Sequence, residues 1–301
     1  MPYIALGITF LLLVALLRTL KAKRESSRFQ FSRHSSQFLI FVAAMWLATV
    51  IGIVSARNAL DLWEIVRIAL YFALPALFAV RSRTFKELHS LGWDDLIPVA
   101  LLFIPIDMRL VPTWITYESI TVAPLIFAVC IYLVVLYRNI LKLDFDFRWQ
   151  LTRQNASTIR NTFFVLVVAI PPIALTIGFA HMGLRKDVTL MHVFSIVSIY
   201  FLTVALPEEL VFRGILQTIL TKRHGNLLGI LVTAVLFGLI HLNNESRTSV
   251  ATFGVPNWWY MVFAIFAGIG YGYVYQKTKN LFAPVTLHAT VDLVWYFFLR
   301  G

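Results

Sequence analysis

Charged residues are scarce in this chain. Lys, Arg, Asp and Glu make up 14% of its 301 residues, whereas apolar residues make up 59%. A soluble domain is typically about a quarter charged and about half apolar. The composition therefore argues against an ordinary soluble protein and predicts a chain that lives in lipid.

Cysteine occurs once, as Cys130, which excludes an internal disulfide. It lies in an apolar run, where we expect a small buried side chain. Acidic residues are outnumbered by basic ones, giving a net charge of +11. The basic residues cluster in short loops between apolar runs, as membrane topology requires. The sequence thus predicts the lipid bilayer as a partner and no nucleic acid.

Long apolar runs dominate the rest of the chain. Most reach the ~17–25 residues of a spanning helix, and a membrane β-barrel would instead alternate polar and apolar residues. We predict an all-α, polytopic helical membrane protein with about eight to ten transmembrane helices. It would be a multi-pass integral protein, of the inner membrane if the source is bacterial. The fourth run is short and could be re-entrant or half-buried. The runs lie near 3–20, 38–56, 64–80, 96–106, 119–137, 161–181, 190–221, 226–242, 257–276 and 281–299.

The longest polar stretch, 138–160, predicts a domain boundary. Residues 1–160 would hold N-terminal transmembrane helices of unassigned role. Residues 161–301 would form the core, since every residue with candidate chemistry lies there, within 190–301.

Two adjacent glutamates interrupt one apolar run, where ionisable groups are costly and usually functional or paired. On a helix, Glu209 and Arg213 are i,i+4 neighbours and are predicted to pair. Glu208 points about 100° away and lacks that partner, which makes it the candidate general base. Pro207 frees a backbone carbonyl and is expected to loosen the helix beside the pair. A purely structural ion pair is the alternative.

The next run carries Phe237 and His241, which share one helix face. Glu208 and His241 each lie about 20 Å from the turn at 222–226, at 1.5 Å per residue. Two antiparallel helices would bring them to one level, so we expect Glu208 to face His241. A hydrogen-bonded core histidine is the alternative role.

The last run carries His288 and Asp292, again at i,i+4 spacing, at about 12–18 Å from the same membrane face. Asp292 could also serve only to neutralise His288. In the run before, Gly268 and Gly272 have the small-xxx-small spacing that permits close helix packing. The aromatic residues Trp258, Trp259 and Tyr260 are predicted to form a membrane-interface belt.

Together these side chains predict one polar cavity inside the membrane. A glutamate base and a histidine could activate water, and a second histidine could stabilise a tetrahedral oxyanion. No Ser or Cys nucleophile accompanies the cluster. The pattern therefore predicts peptide-bond hydrolysis without a covalent intermediate, and without a metal or other cofactor.

At these residues the sequence resembles the CAAX-protease-and-bacteriocin-processing (CPBP or Abi) family of membrane proteins, which includes the CAAX prenyl protease Rce1. The resemblance covers about residues 190–301. Three motifs in the family's order carry it: Glu208-Glu209-x-x-x-Arg213, Phe237-x-x-x-His241 and His288-x-x-x-Asp292.

The resemblance implies an intramembrane glutamic endopeptidase acting on a protein or peptide substrate in or at the membrane. Glu208 and His241 would activate water, His288 would help to hold the oxyanion, and Glu209 and Arg213 would support the site. The prenyl proteases have Asn where this chain has Asp292. Because an ionised Asp cannot donate a hydrogen bond, Asp292 is either protonated or only orients His288. This departure weakens the transfer of that role, and of prenyl-protein specificity in particular.

Three other functions stay open. A zinc metalloprotease could use His241, His288 and a carboxylate, although no His-Glu-x-x-His motif is present. A non-catalytic family member could act as an immunity factor or a membrane scaffold. A proton-coupled transporter could use the buried carboxylates, although no pair of runs looks like an inverted repeat.

Overall fold

The computed structural model describes residues 2–21, 36–57, 61–84, 93–111, 115–117, 120–143, 145–185, 188–244 and 256–300. The chain divides into two compact units, Met1–Asp144 and Phe145–Gly301. The division lies within the polar stretch 138–160. Each unit has its own packing.

The elements described in the first unit are helical apart from one short hairpin, in which Ile115 pairs with Val122. Its elements are α1 (Pro2–Lys21), α2 (Ser36–Arg57), α3 (Leu62–Thr84), a 3-10 turn (Trp93–Leu96), α4 (Ile97–Asp107), β1 (Ile115–Tyr117), β2 (Ile120–Val122), and α5 (Pro124–Val135) with a π-helical continuation (Leu136–Ile140). As expected, α4 is too short to span, since 11 residues rise only about 16 Å of a ~30 Å hydrocarbon layer.

Polar side chains in the first unit bind backbone carbonyls across its apolar core. The hydroxyl of Tyr132 donates to Phe72 O at 2.7 Å, and that of Tyr137 donates to Asp95 O at 2.6 Å. Arg138 donates to Leu20 O at 3.1 Å, at the end of α1. A cation there complements the negative end of the helix dipole. These polar groups therefore join elements far apart in sequence.

Where the structure describes the second unit, its elements are also helical, with one short antiparallel pair in which His181 lies opposite Arg300. Its elements are α6 (Arg153–Thr176), β3 (His181–Met182), α7 (Leu190–Ile199), a π-helical segment (Tyr200–Ala205), α8 (Leu206–Glu209), a second π-helical segment (Leu210–Gln217), α9 (Thr218–Ile240), a 3-10 turn (His241–Asn243), α10 (Trp258–Thr278), α11 (Phe282–Phe298) and β4 (Leu299–Arg300).

Gly225 breaks α9 into two helical parts. Its φ of 83° and ψ of 169° lie outside the helical region, in a conformation that glycine adopts at least cost. Residues 190–224 therefore form one helical rod, here called the carboxylate helix. Residues 226–240 form the next rod, as the two apolar runs predicted.

Side-chain caps set where the helices of the second unit begin. Thr152 accepts from Asn155 N at 3.1 Å at the start of α6, and Asn257 accepts from Tyr260 N at 3.1 Å at the start of α10. Each cap satisfies a backbone N–H that has no partner within its helix. Helix α10 ends at Thr278, and the next residue, Lys279, has a left-handed φ of 48°.

Among the described residues, five helical stretches are long and apolar enough to cross a membrane. The longest includes the turn at Gly225 and thus contains two rods. The chain is an all-α, polytopic integral membrane protein, as predicted. The stretches are Tyr3–Leu20, Gln37–Ser55, Leu62–Ala79, Arg153–Thr176 and Leu190–Asn243.

Candidate active site

The two glutamates lie where the carboxylate helix changes its winding. Helix α8 is a short α-helical stretch that contains Pro207, Glu208 and Glu209, with a π-helical segment on either side. π-Helical turns are rare and often occur at functional sites. The loosening expected around Pro207 therefore takes the form of two wider-wound segments.

Glu209 is the fully buried centre of the cluster, with 0% of its side chain exposed. Its Oε1 atom accepts from Arg213 Nη1 at 2.8 Å, which confirms the i,i+4 pair predicted from the sequence. The same oxygen lies 2.8 Å from His288 Nδ1. An oxygen that already accepts from a guanidinium accepts again here, so His288 Nδ1 carries the hydrogen.

Arg213 extends the cluster to α10. Its Nη2 atom donates to Gly268 O at 3.0 Å. One turn along both helices, Gln217 Nε2 donates to Gly272 O at 2.9 Å. A Cβ atom on Gly268 would lie 3.2 Å from Ala234 Cα, so glycine permits the close approach of α10 to α9. The predicted packing glycines thus also present their carbonyls as acceptors.

Aromatic rings enclose the buried guanidinium. Arg213 Cζ lies 4.6 Å from the centroid of the Phe237 ring and 5.2 Å from that of Tyr271. Cation–π attraction is strongest where water is excluded, as it is around this buried arginine. The ring of Tyr271 also stacks on His288 at 4.6 Å and 18°.

Glu208 lies on the accessible side of the cluster, with 20% of its side chain exposed. Its Oε2 atom is 3.8 Å from His288 Nε2. Asp292 Oδ2 approaches the same nitrogen at 3.4 Å, which confirms the predicted i,i+4 contact. The ion-pair neighbour of Glu208 is thus His288. The predicted facing of Glu208 and His241 stays a prediction. Matching depth fixes the level of a side chain on its helix but not its direction around the axis.

His241 joins the cluster through Phe237, and the two rings lie 4.6 Å apart on one face as predicted. Phe237 in turn meets the His288 ring edge-on at 5.6 Å. His241 Nδ1 lies 2.7 Å from Phe237 O. A carbonyl oxygen only accepts, so Nδ1 donates, and the neutral imidazole keeps its lone pair on Nε2.

Tyr260 is a residue that the sequence did not assign to the site. Trp258 and Trp259 are 61% and 49% exposed, as an interface belt requires. Tyr260 instead turns inward, and its ring meets His241 edge-on at 5.1 Å. Asn244 and Asp292 are polar neighbours of its side chain. Only its inward position separates it from its two exposed neighbours, and no sequence signal does so.

Among the described residues, no group of three or more His, Cys, Asp or Glu side chains is arranged to hold a metal ion. The Nδ1 atoms of His241 and His288 already bind a carbonyl and a carboxylate. The donor set is therefore arranged as a hydrogen-bonded cluster.

Residues 189–294 match the family described as type II CAAX prenyl endopeptidase Rce1-like. The matched range contains all three motifs and the whole cluster. This chain carries an Rce1-like domain. The matched family is named for endopeptidase activity, which supports protease activity of the Rce1-like domain in general.

Among curated proteins, the chain is similar to the uncharacterized protein YpbD of Bacillus subtilis (strain 168), with 31% identity over 105 residues. That alignment covers 34% of this chain and 45% of YpbD, so the chain spans less than half of that relative's length. No solved structure matches the chain.

Proposed function

We propose that this chain is an intramembrane endopeptidase that uses Glu208 and His241 to activate water. The observation that best supports this proposal is the difference in environment between two adjacent carboxylates. Glu209 is closed in by Arg213 and His288, whereas Glu208 is 20% exposed and faces the accessible side. A general base needs this combination of partial burial and access to water.

The hydrogen bonds divide the two histidines into an acceptor and a donor. His241 Nε2, with its lone pair, suits a proton acceptor from water. His288 donates from Nδ1 to Glu209 and turns Nε2 toward Glu208 and Asp292. A proton on Nε2 would be held between two carboxylates, which suits a donor to a developing charge.

In the proposed reaction, the oxygen of water forms a bond to the carbonyl carbon of the peptide. Its proton passes to the carboxylate of Glu208, assisted by His241, and the carbonyl π electrons move to oxygen. Collapse of this intermediate breaks the C–N bond, and the leaving amine takes the proton from Glu208. Atoms and charge balance with water as the only co-reactant.

We propose the glutamic mechanism ahead of the zinc-dependent one. Its support is the pairing of Glu209 with Arg213, which would compete with a divalent cation for the same carboxylate. The substrate would be a protein or peptide in or at the membrane, because the cluster lies on helices of a membrane domain. Activity of metal-analysed protein in the presence of a chelator tests this choice.

The function itself is tested with Glu208→Gln, which keeps the shape of the side chain but removes its basicity. We expect cleavage to fall by about 10²–10⁴-fold, the usual contribution of a general base. The measurement is quantitative N-terminal proteomics of membranes from a host lacking its own copy and expressing either protein. Peptide ends that form with the parent chain and vanish with the variant identify substrates.

Glu64→Gln is the matched control. Glu64 is 22% exposed and pairs with Arg67 at 3.8 Å, so the chemical change and exposure are alike while the location differs. It should leave the new peptide ends unchanged. If Glu208→Gln restores every phenotype of a deletion and every peptide end, the chain is a non-catalytic scaffold or immunity protein.

A further inference from the structure

The accessible side of the cluster has many acceptors and few donors. Glu208 and Asp292 accept when ionised, and neutral His241 presents a lone pair. Arg213 is buried behind Glu209 and bound to it and to Gly268 O. Hydrolysis of an amide needs donors aimed at the developing oxyanion. The site described so far therefore offers one such donor, His288.

His288 is a constrained donor. Its Nε2 atom lies 3.4 Å from Asp292 Oδ2 and 3.8 Å from Glu208 Oε2. A hydrogen on that nitrogen is drawn toward two carboxylates at once. These carboxylates compete with a substrate for that hydrogen. A neutral donor that forms no ion pair would not face this competition.

Tyr260 supplies a hydroxyl at this place. Its ring meets the His241 ring edge-on at 5.1 Å. Glu208 and Asp292 are charged neighbours of this side chain. The Asn244 side chain is a neutral polar neighbour of the phenol. When the Asn244 amide donates to the phenol oxygen, the O–H hydrogen stays available for a substrate.

The backbone holds this hydroxyl in a fixed place. Asn257 caps α10 by accepting from Tyr260 N at 3.1 Å. Its side-chain nitrogen donates to Asn244 O at 3.2 Å, and its backbone N donates to Leu242 O at 2.6 Å. The chain just after His241 is thereby fastened to the first turn of α10. A donor held in advance loses little entropy when it acts.

We propose that Tyr260 is a further catalytic residue, whose hydroxyl donates a hydrogen bond to the carbonyl oxygen of the substrate. The bond strengthens as that oxygen becomes negative, and no proton is transferred from the phenol. This proposal rests on the proposed endopeptidase function. Asn244 is a positioning residue, because it acts through Tyr260.

Tyr260→Phe tests the proposal, since it removes the hydroxyl and keeps the ring against His241. The probe is a membrane-anchored reporter that carries a cleavage sequence protected by Glu208→Gln. With purified protein in phospholipid vesicles, we expect kcat to fall by about 10²–10³-fold, as for other oxyanion donors, with KM little changed. Tyr273→Phe on the same helix is the control, because Tyr273 is 44% exposed and should be neutral.

Two more variants separate chemistry from folding. Asn244→Ala should lower kcat less than Tyr260→Phe, and the double variant should match Tyr260→Phe alone. A fluorinated tyrosine at position 260 keeps the fold and makes a more acidic donor, so it should retain activity and alter its pH profile. An unchanged kcat in Tyr260→Phe overturns this proposal alone. Undiminished cleavage with Glu208→Gln overturns the endopeptidase function as well.

Discussion

Glu208 and Glu209 are adjacent in sequence but differ in the exposure and in the partners of their side chains. Glu209 has 0% of its side chain exposed and shares one oxygen between Arg213 and His288. Glu208 is 20% exposed and approaches His288 only at 3.8 Å. A rotation of about 100° per residue separates a carboxylate held by the fold from one open to a substrate. One helix can therefore assign stability and chemistry to neighbouring residues.

The largest effect on stability is expected when the partner of Glu209 is removed. Arg213→Met should destabilise the protein by about 3–5 kcal/mol, because it leaves a buried carboxylate uncompensated. Glu208→Gln should cost far less, since Glu208 has no guanidinium partner and approaches His288 only at 3.8 Å. Reversible unfolding of both variants in detergent measures the two values. Equal losses would show that the two carboxylates are equivalent.

The approach of α10 to α9, which supports the Glu209 side, can be disturbed without touching a charge. A Cβ atom on Gly238 would lie 2.8 Å from Met261 O and 2.3 Å from Ile265 Cγ1. Gly238→Ala should therefore cost about 1–3 kcal/mol through overpacking. Gly7→Ala is the control, because its Cβ atom would meet nothing within 4 Å. The same unfolding assay compares them, and equal stabilities would argue against the close approach.

The smallest effect is expected at Gln217, one turn beyond Arg213. Gln217→Ala removes the hydrogen bond to Gly272 O and should cost about 1 kcal/mol. It leaves both glutamates in place, so reporter cleavage should persist at close to the parent rate. A loss of cleavage comparable to that of Glu208→Gln would show that Gln217 takes part in the reaction, as proposed for Glu208.

Local spacing predicted the contacts within single helices. The pairs Glu209–Arg213, Phe237–His241 and His288–Asp292 all follow from i,i+4 geometry. The apolar runs likewise predicted the all-α membrane fold, because lipid leaves the backbone few alternatives.

Contacts between helices could not be predicted from spacing along a single helix. The stacking of Tyr271 on His288 and the bond from Arg213 to Gly268 O depend on how helices are rotated about their axes. The same rotation gives Glu208 the neighbour His288, which spacing along the chain did not predict. Tyr260 follows two exposed tryptophans, so its inward direction had no signal in the sequence.

The two bonds from Arg213 and Gln217 to Gly268 and Gly272 have equal spacing on both helices. The two bonds hold the carboxylate helix and α10 together at two successive turns. They therefore set the register of these helices along the membrane normal. If one helix slid past the other by one turn, about 5.4 Å, Arg213 would lie opposite the carbonyl oxygen that now accepts from Gln217. One of the two donors would then have no acceptor. The carboxylate helix and α10 should therefore travel together. Any widening that admits a polypeptide would then have to displace these two helices as one unit.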